Sequence, residues 1–209
     1  MRDVRLALRG IYAIVNEGAG DPVALADAVL RGGVRIVQYR AKRGVVADHV
    51  RALRLLTRQM HAVFIVNDDW HAALAFDADG VHLGPGDDGY AEPAAIRTHF
   101  GDRLIGLSCG TPDEAGTAVA AGVDYLGVGA VYATASKPDA GTPIGVEGLC
   151  RIVAHAGGLP AAAIGGITES VLPEVRRAGA AMAAVLSALG EAADPLQAAE
   201  RLVRLWESA

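Results

Sequence analysis

The sequence predicts an α/β fold in which residues 1–209 form one compact domain, a closed (β/α)8 TIM barrel. Eight short runs rich in β-branched and apolar residues recur along the chain, and segments with helical periodicity separate them. This alternation is typical of parallel strands joined by helical crossovers, and eight such units fit a closed barrel better than an open sheet. Because 209 residues is near the lower end of the usual range for this fold, we expect short loops.

The strands are predicted from the apolar runs, the first of which reads Ile-Tyr-Ala-Ile-Val. The eight runs lie at 11–15, 34–39, 62–66, 80–83, 103–107, 124–128, 160–164 and 181–187. Amphipathic spacing between them predicts eight helices. The first two include 24–29 and 50–60, and the others are predicted at 69–76, 93–100, 112–121, 146–156, 169–178 and 194–207.

Glycine and proline support these boundaries. Gly32-Gly33, Gly122 and Gly179 each follow a helical segment and precede a strand, where a left-handed residue favourably ends a helix. Pro93 and Pro112 are near predicted helix starts, where the missing amide hydrogen costs nothing. The helices are therefore predicted to end where the strands begin.

Composition limits the classes of function. A formal charge of -5 argues against a general nucleic-acid binder, because that affinity depends on many Lys and Arg side chains that neutralise phosphates. The sequence contains neither a leader-like segment nor a bilayer-length apolar run, so we expect no membrane partner. Cys109 and Cys150 have neither disulfide-framework nor metal-ligand spacing, which predicts two free thiols in a cytoplasmic protein.

The most informative segment follows the second predicted strand and reads Gln38-Tyr39-Arg40-Ala41-Lys42. Residues 38, 40 and 42 of an extended strand point to one face, so an amide, a guanidinium and an ammonium group converge there. This pattern indicates a local anion site. A solvated strand end with salt bridges is the alternative interpretation.

Acidic and amide side chains follow the next two strands. Asn67 and Asp68 end the third, and Asp87 follows the fourth. In a barrel of this class the carboxyl ends of the strands form the active site, so these carboxylates are expected near the basic trio. Asp68 and Asp87 could hold one Mg2+, which uses few carboxylates and shares phosphate oxygens. Asp68 as a helix N-cap is the alternative.

The remaining strand ends supply further polar groups. Ser108 follows strand five, and Thr134, Ser136 and Lys137 follow strand six. Gly165-Gly166 and Ser187 follow strands seven and eight, where such barrels often bind a phosphate through backbone amides. A second, separate phosphate site is therefore predicted.

Several of these residues also have a purely structural interpretation. The Gly-Gly pair could form only a tight turn, and Thr134 and Ser136 could cap a turn. For His82, inside an apolar strand, a hydrogen-bonded structural role is favoured over catalysis. For Cys109, a buried small residue is favoured over a nucleophile.

Taken in order, the motifs Gln-x-Arg-x-Lys, Val-Asn-Asp, Gly-Val-His-Leu-Gly-x-x-Asp, Gly-Leu-Ser, Thr-x-Ser-Lys and Ala-Ile-Gly-Gly-Ile resemble the thiamine phosphate synthase family. TenI-type thiazole tautomerases share its fold. The resemblance runs from about residue 11 to residue 203. It implies a Mg2+-dependent transferase of thiamine biosynthesis that joins hydroxymethylpyrimidine diphosphate to hydroxyethylthiazole phosphate and releases pyrophosphate.

The resemblance also implies a role for each matching position. Gln38 would read the pyrimidine, Arg40 and Lys42 would hold the diphosphate, and Asn67 and Ser108 would add contacts to either group. Asp68 and Asp87 would bind Mg2+, and Lys137 would assist the leaving group. The catalytic set is then Arg40, Lys137 and Ser108, and the thiazole phosphate would lie near Thr134, Ser136, Gly165, Gly166 and Ser187. Both substrates are small molecules, and a homo-oligomer is plausible.

The chain also departs from the family pattern. Asp69 stands where an arginine is common, Pro85 alters the turn before Asp87, and Gly110 replaces a common histidine. Two other functions stay open at this point: a metal-independent thiazole phosphate tautomerase, which needs an acid/base residue, and a protein that binds thiazole or thiamine phosphate without turnover.

Overall fold

The protein, described by a computed structural model over residues 4–136 and 141–209, contains the predicted eight-stranded barrel. All neighbouring strands are parallel, and the last strand pairs with the first, with Gly10 opposite Met182. The strands are β1 (Gly10–Asn16), β2 (Ile36–Arg40), β3 (Val63–Asn67), β4 (Gly80–Leu83), β5 (Leu104–Cys109), β6 (Tyr125–Val128), β7 (Ala161–Ala163) and β8 (Met182–Val185). Every predicted strand is present, and its ends differ from prediction by no more than two residues.

Helices connect the strands on the outside of the barrel. Over the part of the chain that is described they are α1 (Pro22–Arg31), α2 (Ala47–Gln59), α3 (Trp70–Ala75), α4 (Pro93–Phe100), α5 (Pro112–Ala120), α6 (Gly145–His155), α7 (Leu172–Arg177), α8 (Ser187–Gly190) and α9 (Pro195–Ser208). Short 3-10 helices occupy Val4–Ala7 and Glu169–Val171. Two boundaries were wrong. The helix predicted at 169–178 is a 3-10 turn followed by α7, and Ser187 begins α8 instead of ending β8.

The glycines that follow helices have two different roles. Gly33, Gly122 and Gly179 have φ of 101°, 72° and 94°, as a left-handed helix end requires. Gly32 does not, because its φ is -72°. A Cβ on Gly32 would lie 2.6 Å from the Cβ of Ala199, so this glycine allows α1 and α9 to approach closely.

Apolar side chains form two layers. Inside the barrel, inward-facing residues such as Ile36, Ile65, Leu104 and Met182 pack together. A larger layer fills the space between the strands and the helices. Since successive strand residues alternate between these layers, the last inward residue of each strand is presented at the carboxyl rim of the barrel.

Two aspartates stabilise the amino-terminal face. Asp79 precedes β4 and accepts hydrogen bonds from the Phe64 amide in β3 at 2.8 Å and from Arg54 of α2 at 2.9 Å. Asp124 precedes β6 and accepts from the Ile105 amide in β5 at 2.8 Å and from Arg97 of α4 at 2.6 Å. In both places one aspartate binds a strand amide and a helix arginine, and so links a strand to a helix. In this fold the amino-terminal face contributes to stability, whereas the carboxyl face carries the active site.

Both cysteines are free thiols, as predicted, with Cys109 buried and Cys150 exposed. Among the described residues, none of the helices has the length and apolar character needed to cross a bilayer.

Candidate active site

A cavity of about 370 Å3 opens among the carboxyl ends of the strands. Every predicted site residue that the structure describes lines it. These residues are Gln38, Arg40, Lys42, Asn67, Asp68, Asp87, Ser108, Thr134, Ser136, Gly165, Gly166 and Ser187. Lys137 lies outside the described residues.

The basic trio lines the cavity from β2 and the turn after it. Gln38 and Arg40 point inward from the strand, and Lys42 lies two residues beyond the strand end. Gln38 is only 4% exposed, whereas Lys42 is exposed. One guanidinium nitrogen of Arg40 donates to the Asn16 side chain at 2.9 Å, which fixes the guanidinium group at the rim.

A second set of contacts holds Glu17, which follows β1, against the end of β2 and the first turn of α2. The Tyr39 hydroxyl donates to the Glu17 carboxylate at 2.5 Å, and His49 Nδ1 lies 2.8 Å from the same oxygen. The Glu17 amide also donates to the Arg40 carbonyl at 2.8 Å. These contacts lower the pKa of Glu17, chiefly through the hydrogen bonds from Tyr39 and His49, and the hydrogen bond to Glu17 raises the pKa of His49.

Asp68 and Asp87 form an acidic pair opposite the basic trio. Asp68 has a φ of 67°, an uncommon value for a residue with a side chain and one worth a functional explanation. Burial, followed by the hydrogen bond and charge of Asp87, raises the pKa of Asp68 to about 6, although Lys42 and Arg40 oppose the shift. Asp87 also accepts from the Gly84 amide at 2.6 Å.

The helix-cap alternative for Asp68 was wrong, because its neighbour fills that role. Asp69 is the N-cap of α3, and its carboxylate accepts from the Ala72 amide at 2.8 Å. Asp69, which stands where an arginine is common in the family, therefore has a local structural role. It caps α3, and Asp68 is left available at the cavity.

The acidic pair fits a hard divalent cation. Two carboxylates that line the same partly buried site repel each other when both are ionised, and a cation relieves this repulsion. Within the described ranges no cluster of three or more His, Cys, Asp or Glu side chains suits a metal. Two carboxylates suffice for Mg2+, which keeps several waters or takes substrate phosphate oxygens as its other ligands.

The opposite sector of the rim is made of backbone and small residues. Gly165 and Gly166 have φ of 95° and 65°, and a Cβ on either would lie within 2.7 Å of atoms in the segment 130–133. The amide of Tyr132 donates to the Gly165 carbonyl at 3.0 Å. The pair is therefore a tight turn that also brings backbone to the cavity wall, near Ser187 at the start of α8.

Thr134 and Ser136 also combine a structural role with a position at the cavity. The Ser136 amide donates to the Thr134 hydroxyl at 3.2 Å, as a turn cap would, and both side chains line the cavity. Cys109 is 3% exposed, and burial raises the pKa of its thiol to about 12, with the charge of Glu114 adding to the effect. The thiol is therefore protonated at neutral pH, which agrees with its assignment as a small buried residue.

Sequence reasoning missed one group of residues. Tyr12 lines the floor of the cavity, and Tyr125 lies behind Tyr12 in the barrel interior. In the sequence, both tyrosines look like ordinary core residues. His82, predicted as a hydrogen-bonded structural histidine, contacts both Tyr125 and Ser108. Glycines in β5 and β6 were the available signal, because Gly106 and Gly127 leave room for the Tyr125 and His82 rings.

The chain matches the protein-family model described as thiamine monophosphate synthase over residues 11–189. It belongs to this family. A thiamine-phosphate synthase from Caldivirga maquilingensis is 39% identical over 206 residues, covering 96% of this chain and 98% of that one. One from Archaeoglobus fulgidus is 44% identical over 184 residues, covering 87% and 85%. Among solved structures, thiamine phosphate pyrophosphorylase from Pyrococcus furiosus superposes with a TM-score of 0.88 at 35% identity, covering 96% of both chains.

These matches confirm the family that the six motifs indicated and the barrel that the alternating pattern predicted.

Proposed function

We propose that this chain is a thiamine phosphate synthase. It joins hydroxymethylpyrimidine diphosphate to hydroxyethylthiazole phosphate and gives thiamine phosphate and pyrophosphate. The carbon–oxygen bond to the diphosphate breaks and its electron pair leaves with pyrophosphate, while the thiazole nitrogen forms a new carbon–nitrogen bond to the same methylene carbon. The chain would thus be a transferase of thiamine biosynthesis, the same class of enzyme as the thiamine-phosphate synthases that it resembles.

One observation carries the proposal: a single cavity has two anion-binding sectors of different kinds. Charged side chains form one sector, with Arg40 and Lys42 facing Asp68 and Asp87. Backbone and small residues form the other, around Gly165-Gly166 and Ser187. A reaction between a diphosphate ester and a separate phosphate ester requires such a pair of sites within one enclosed space.

Arg40 and Lys42 would hold the diphosphate through charge-assisted hydrogen bonds, and Asn16 keeps the Arg40 guanidinium in place. Gln38 would read the pyrimidine from the cavity floor, and Asn67 and Ser108 would supply further contacts. Lys137 is assigned to the leaving group from its motif alone. Replacement of Lys137 by alanine should lower turnover by about 100-fold or more if its charge stabilises the departing pyrophosphate.

Asp68 and Asp87 would hold Mg2+, with substrate phosphate oxygens and water as its other ligands. When bound, this ion would neutralise negative charge on the diphosphate as the ester bond breaks. Arg40 and Lys137 would add positive charge at the same group, and beyond this the protein needs to position the two reactants and exclude water. The interior of the cavity suits this, since Ala162, Ile164 and Ala184 line it with apolar surface beside the phosphate sector.

The chemistry requires no covalent nucleophile, and none of the described residues that line the cavity is an activated one. The Cys109 thiol is protonated at neutral pH because burial raises its pKa. Gly110 has no side chain at the place where a tautomerase would carry its acid/base group. The synthase is therefore favoured over the thiazole phosphate tautomerase.

The substrates are small molecules and the activity is proposed for the cytoplasm, with no role for nucleic acid or membrane. A homo-oligomer stays a prediction.

Steady-state kinetics of the purified chain with both phosphorylated substrates and Mg2+ tests the proposal. Lys42→Ala should raise the KM for the pyrimidine diphosphate by about 10-fold, the loss expected for one charge-assisted hydrogen bond. Arg43→Ala is the matched control, because Arg43 is an exposed cation next in sequence that does not line the cavity. Absence of thiamine phosphate with the unaltered chain would refute the synthase, and equal effects of the two variants would refute the assigned diphosphate sector.

A further inference from the structure

A chain of four hydrogen bonds crosses the barrel interior beneath the cavity. Gln38 Nε2 donates to the Tyr12 hydroxyl at 2.8 Å, and the Tyr12 and Tyr125 hydroxyls are 3.0 Å apart. The Tyr125 hydroxyl lies 3.2 Å from His82 Nδ1, and His82 Nε2 lies 3.1 Å from the Ser108 hydroxyl. The five side chains come from five different strands, and the chain ends on two residues that face the cavity.

The two tyrosines at its centre are among the most buried polar groups of the protein. Tyr12 is 2% exposed and Tyr125 is 0% exposed. Burial raises the pKa of both hydroxyls far above the ordinary value for tyrosine, so both stay protonated at any working pH. A buried hydroxyl without a partner is costly, which makes a fully connected chain strongly preferred over a broken one.

The surrounding strands leave space for this chain. A Cβ on Gly106 would lie 2.1 Å from the Tyr125 ring, and one on Gly127 would lie 2.6 Å from His82 Cε1. Glycine within a strand is unfavourable for sheet stability, so two glycines at these inward positions indicate that the rings behind them need a defined position. The Tyr125 ring also packs against Tyr12 and His82, with ring centroids 6.1 and 5.5 Å away.

Counting hydrogens gives the chain a direction. Gln38 supplies the hydrogen of the first bond, so the next two bonds must use the two tyrosine hydrogens if neither is to be left unpaired. Tyr12 then donates to Tyr125, and Tyr125 donates to His82 Nδ1. That nitrogen must accept, which places the ring hydrogen on Nε2 and directs it at the Ser108 oxygen.

The direction of the chain determines what its two ends offer to a ligand. Ser108 accepts from His82, so its own hydroxyl hydrogen is available to the cavity. Gln38 uses one amide hydrogen on Tyr12, which leaves its carbonyl oxygen and its second amide hydrogen for a ligand. This donor–acceptor pair complements an aminopyrimidine edge, where a ring nitrogen lies next to an amino group.

We propose that Tyr12 and Tyr125 are positioning residues that determine pyrimidine specificity, because they fix the Gln38 amide orientation, the His82 tautomer and the Ser108 donor as one unit. The inference rests on the proposed function, in which Gln38 and Ser108 contact the pyrimidine. The tyrosines act through those two residues and are not assigned to the reacting atoms.

The kinetic test uses Tyr125→Phe and Tyr12→Phe, which remove one hydroxyl each and keep the ring. Each should raise the KM for the pyrimidine diphosphate by about 10-fold and leave the KM for the thiazole phosphate within about 2-fold. Each should also reduce the preference for the natural substrate over its analogue without the amino group. Thr57→Val is the control, because it removes a fully buried hydroxyl in α2, remote from the cavity, that bonds only within its own helix.

Nitrogen-15 NMR of the unaltered protein tests the direction of the chain without any variant and without turnover. His82 should be the neutral tautomer with hydrogen on Nε2, and Tyr125→Phe should change its nitrogen shifts. A hydrogen on Nδ1 would overturn the proposal. Parallel changes in both KM values, as for a merely structural residue, would also overturn it. Failure of the unaltered enzyme to make thiamine phosphate would instead count against the proposed function, and the NMR result would still test the chain.

Discussion

Asp68 and Asp87 both line the cavity at the rim of the barrel, although one follows β3 and the other belongs to the loop after β4. Burial is the largest cause that raises the pKa of Asp68 to about 6, and hydrogen bonding to Asp87 and the charge of Asp87 add to it. At neutral pH the Asp68 carboxyl group is largely ionised. The protein therefore keeps two negative charges in one partly buried site, where water does not fully screen the repulsion between them.

Asp68→Asn should increase stability while it removes activity. The raised pKa means that ionised Asp68 destabilises the fold above pH 6, by about 1 kcal/mol after allowance for solvent screening of a half-buried group. The gain in unfolding free energy should be present at pH 7–8 and should shrink as pH falls through about 6, since the natural side chain then becomes neutral too. Urea unfolding of both proteins at several pH values measures this gain in unfolding free energy. In a separate activity assay, turnover of the variant should be lower by about 100-fold or more.

Asp69→Asn is the matched control for that variant. The same change one residue later keeps an N-cap on α3, because asparagine caps as well as aspartate. Its turnover should stay near that of the unaltered chain. Equal losses of activity in the two variants would show that the charge near α3, and not a ligand role of Asp68, is what matters.

Activity and metal concentration should be linked through pH. If Asp68 holds Mg2+ as proposed, protons and Mg2+ compete for it, so raising Mg2+ should move the acidic limb of the activity profile to lower pH, starting from a midpoint near 6 at low metal concentration. Activity measured from pH 5 to 8 at two Mg2+ concentrations checks this. A midpoint that does not move with Mg2+ would assign the titrating group to another residue.

Gly166→Ala should disturb the phosphate sector. Its φ of 65° and the 2.7 Å approach of a Cβ to the Ala133 carbonyl oxygen require strain or movement of the loop after β6. We expect a loss of about 1–3 kcal/mol in stability and a higher KM for the thiazole phosphate, with the KM for the pyrimidine diphosphate affected less.

Gly116→Ala provides the comparison. Gly116 lies within α5, where a Cβ meets nothing within 4 Å, so alanine should stabilise the protein by about 0.5–1 kcal/mol and leave both KM values unchanged. If Gly166→Ala behaved in the same way, the close approach of the two loops would not be needed for binding.

The contacts of Glu17 should stabilise the protein only over a limited pH range. The pKa of Glu17 is lowered, so its contribution is present above its ordinary value of 4.5 and is lost as pH falls below it. The pKa of His49 is raised, so its contribution is full below 6.5 and is lost as pH rises through the folded-state value. The stability difference between the unaltered chain and Glu17→Gln should therefore be largest between about pH 5 and 6.5. A difference that is independent of pH would exclude the ionic component.

The sequence predicted the barrel well because strand and helix periodicities are local signals. It also predicted the rim residues, since each polar side chain follows an apolar run and the fold brings all such ends together. It did not predict the tyrosine chain. Tyr12 and Tyr125 are 113 positions apart, and their hydroxyl contact depends on the closure and register of the whole barrel.

Asp68 and Asp69 show a different limit of sequence reasoning. Both are favourable N-cap residues, and composition alone cannot decide which of two adjacent aspartates begins the helix. The decision depends on backbone dihedrals, with Asp68 at a φ of 67° and Asp69 in an extended conformation. For the same reason, Ser187 was predicted as the end of β8 although it begins the short α8.

The most direct test of the whole account is formation of thiamine phosphate by the purified chain from both phosphorylated substrates, first with Mg2+ and then with a chelator. We expect product with Mg2+, none with the chelator, and recovery when Mg2+ is restored. Undiminished product formation in the chelator would contradict the acidic-pair metal site, and no product under either condition would contradict the synthase itself.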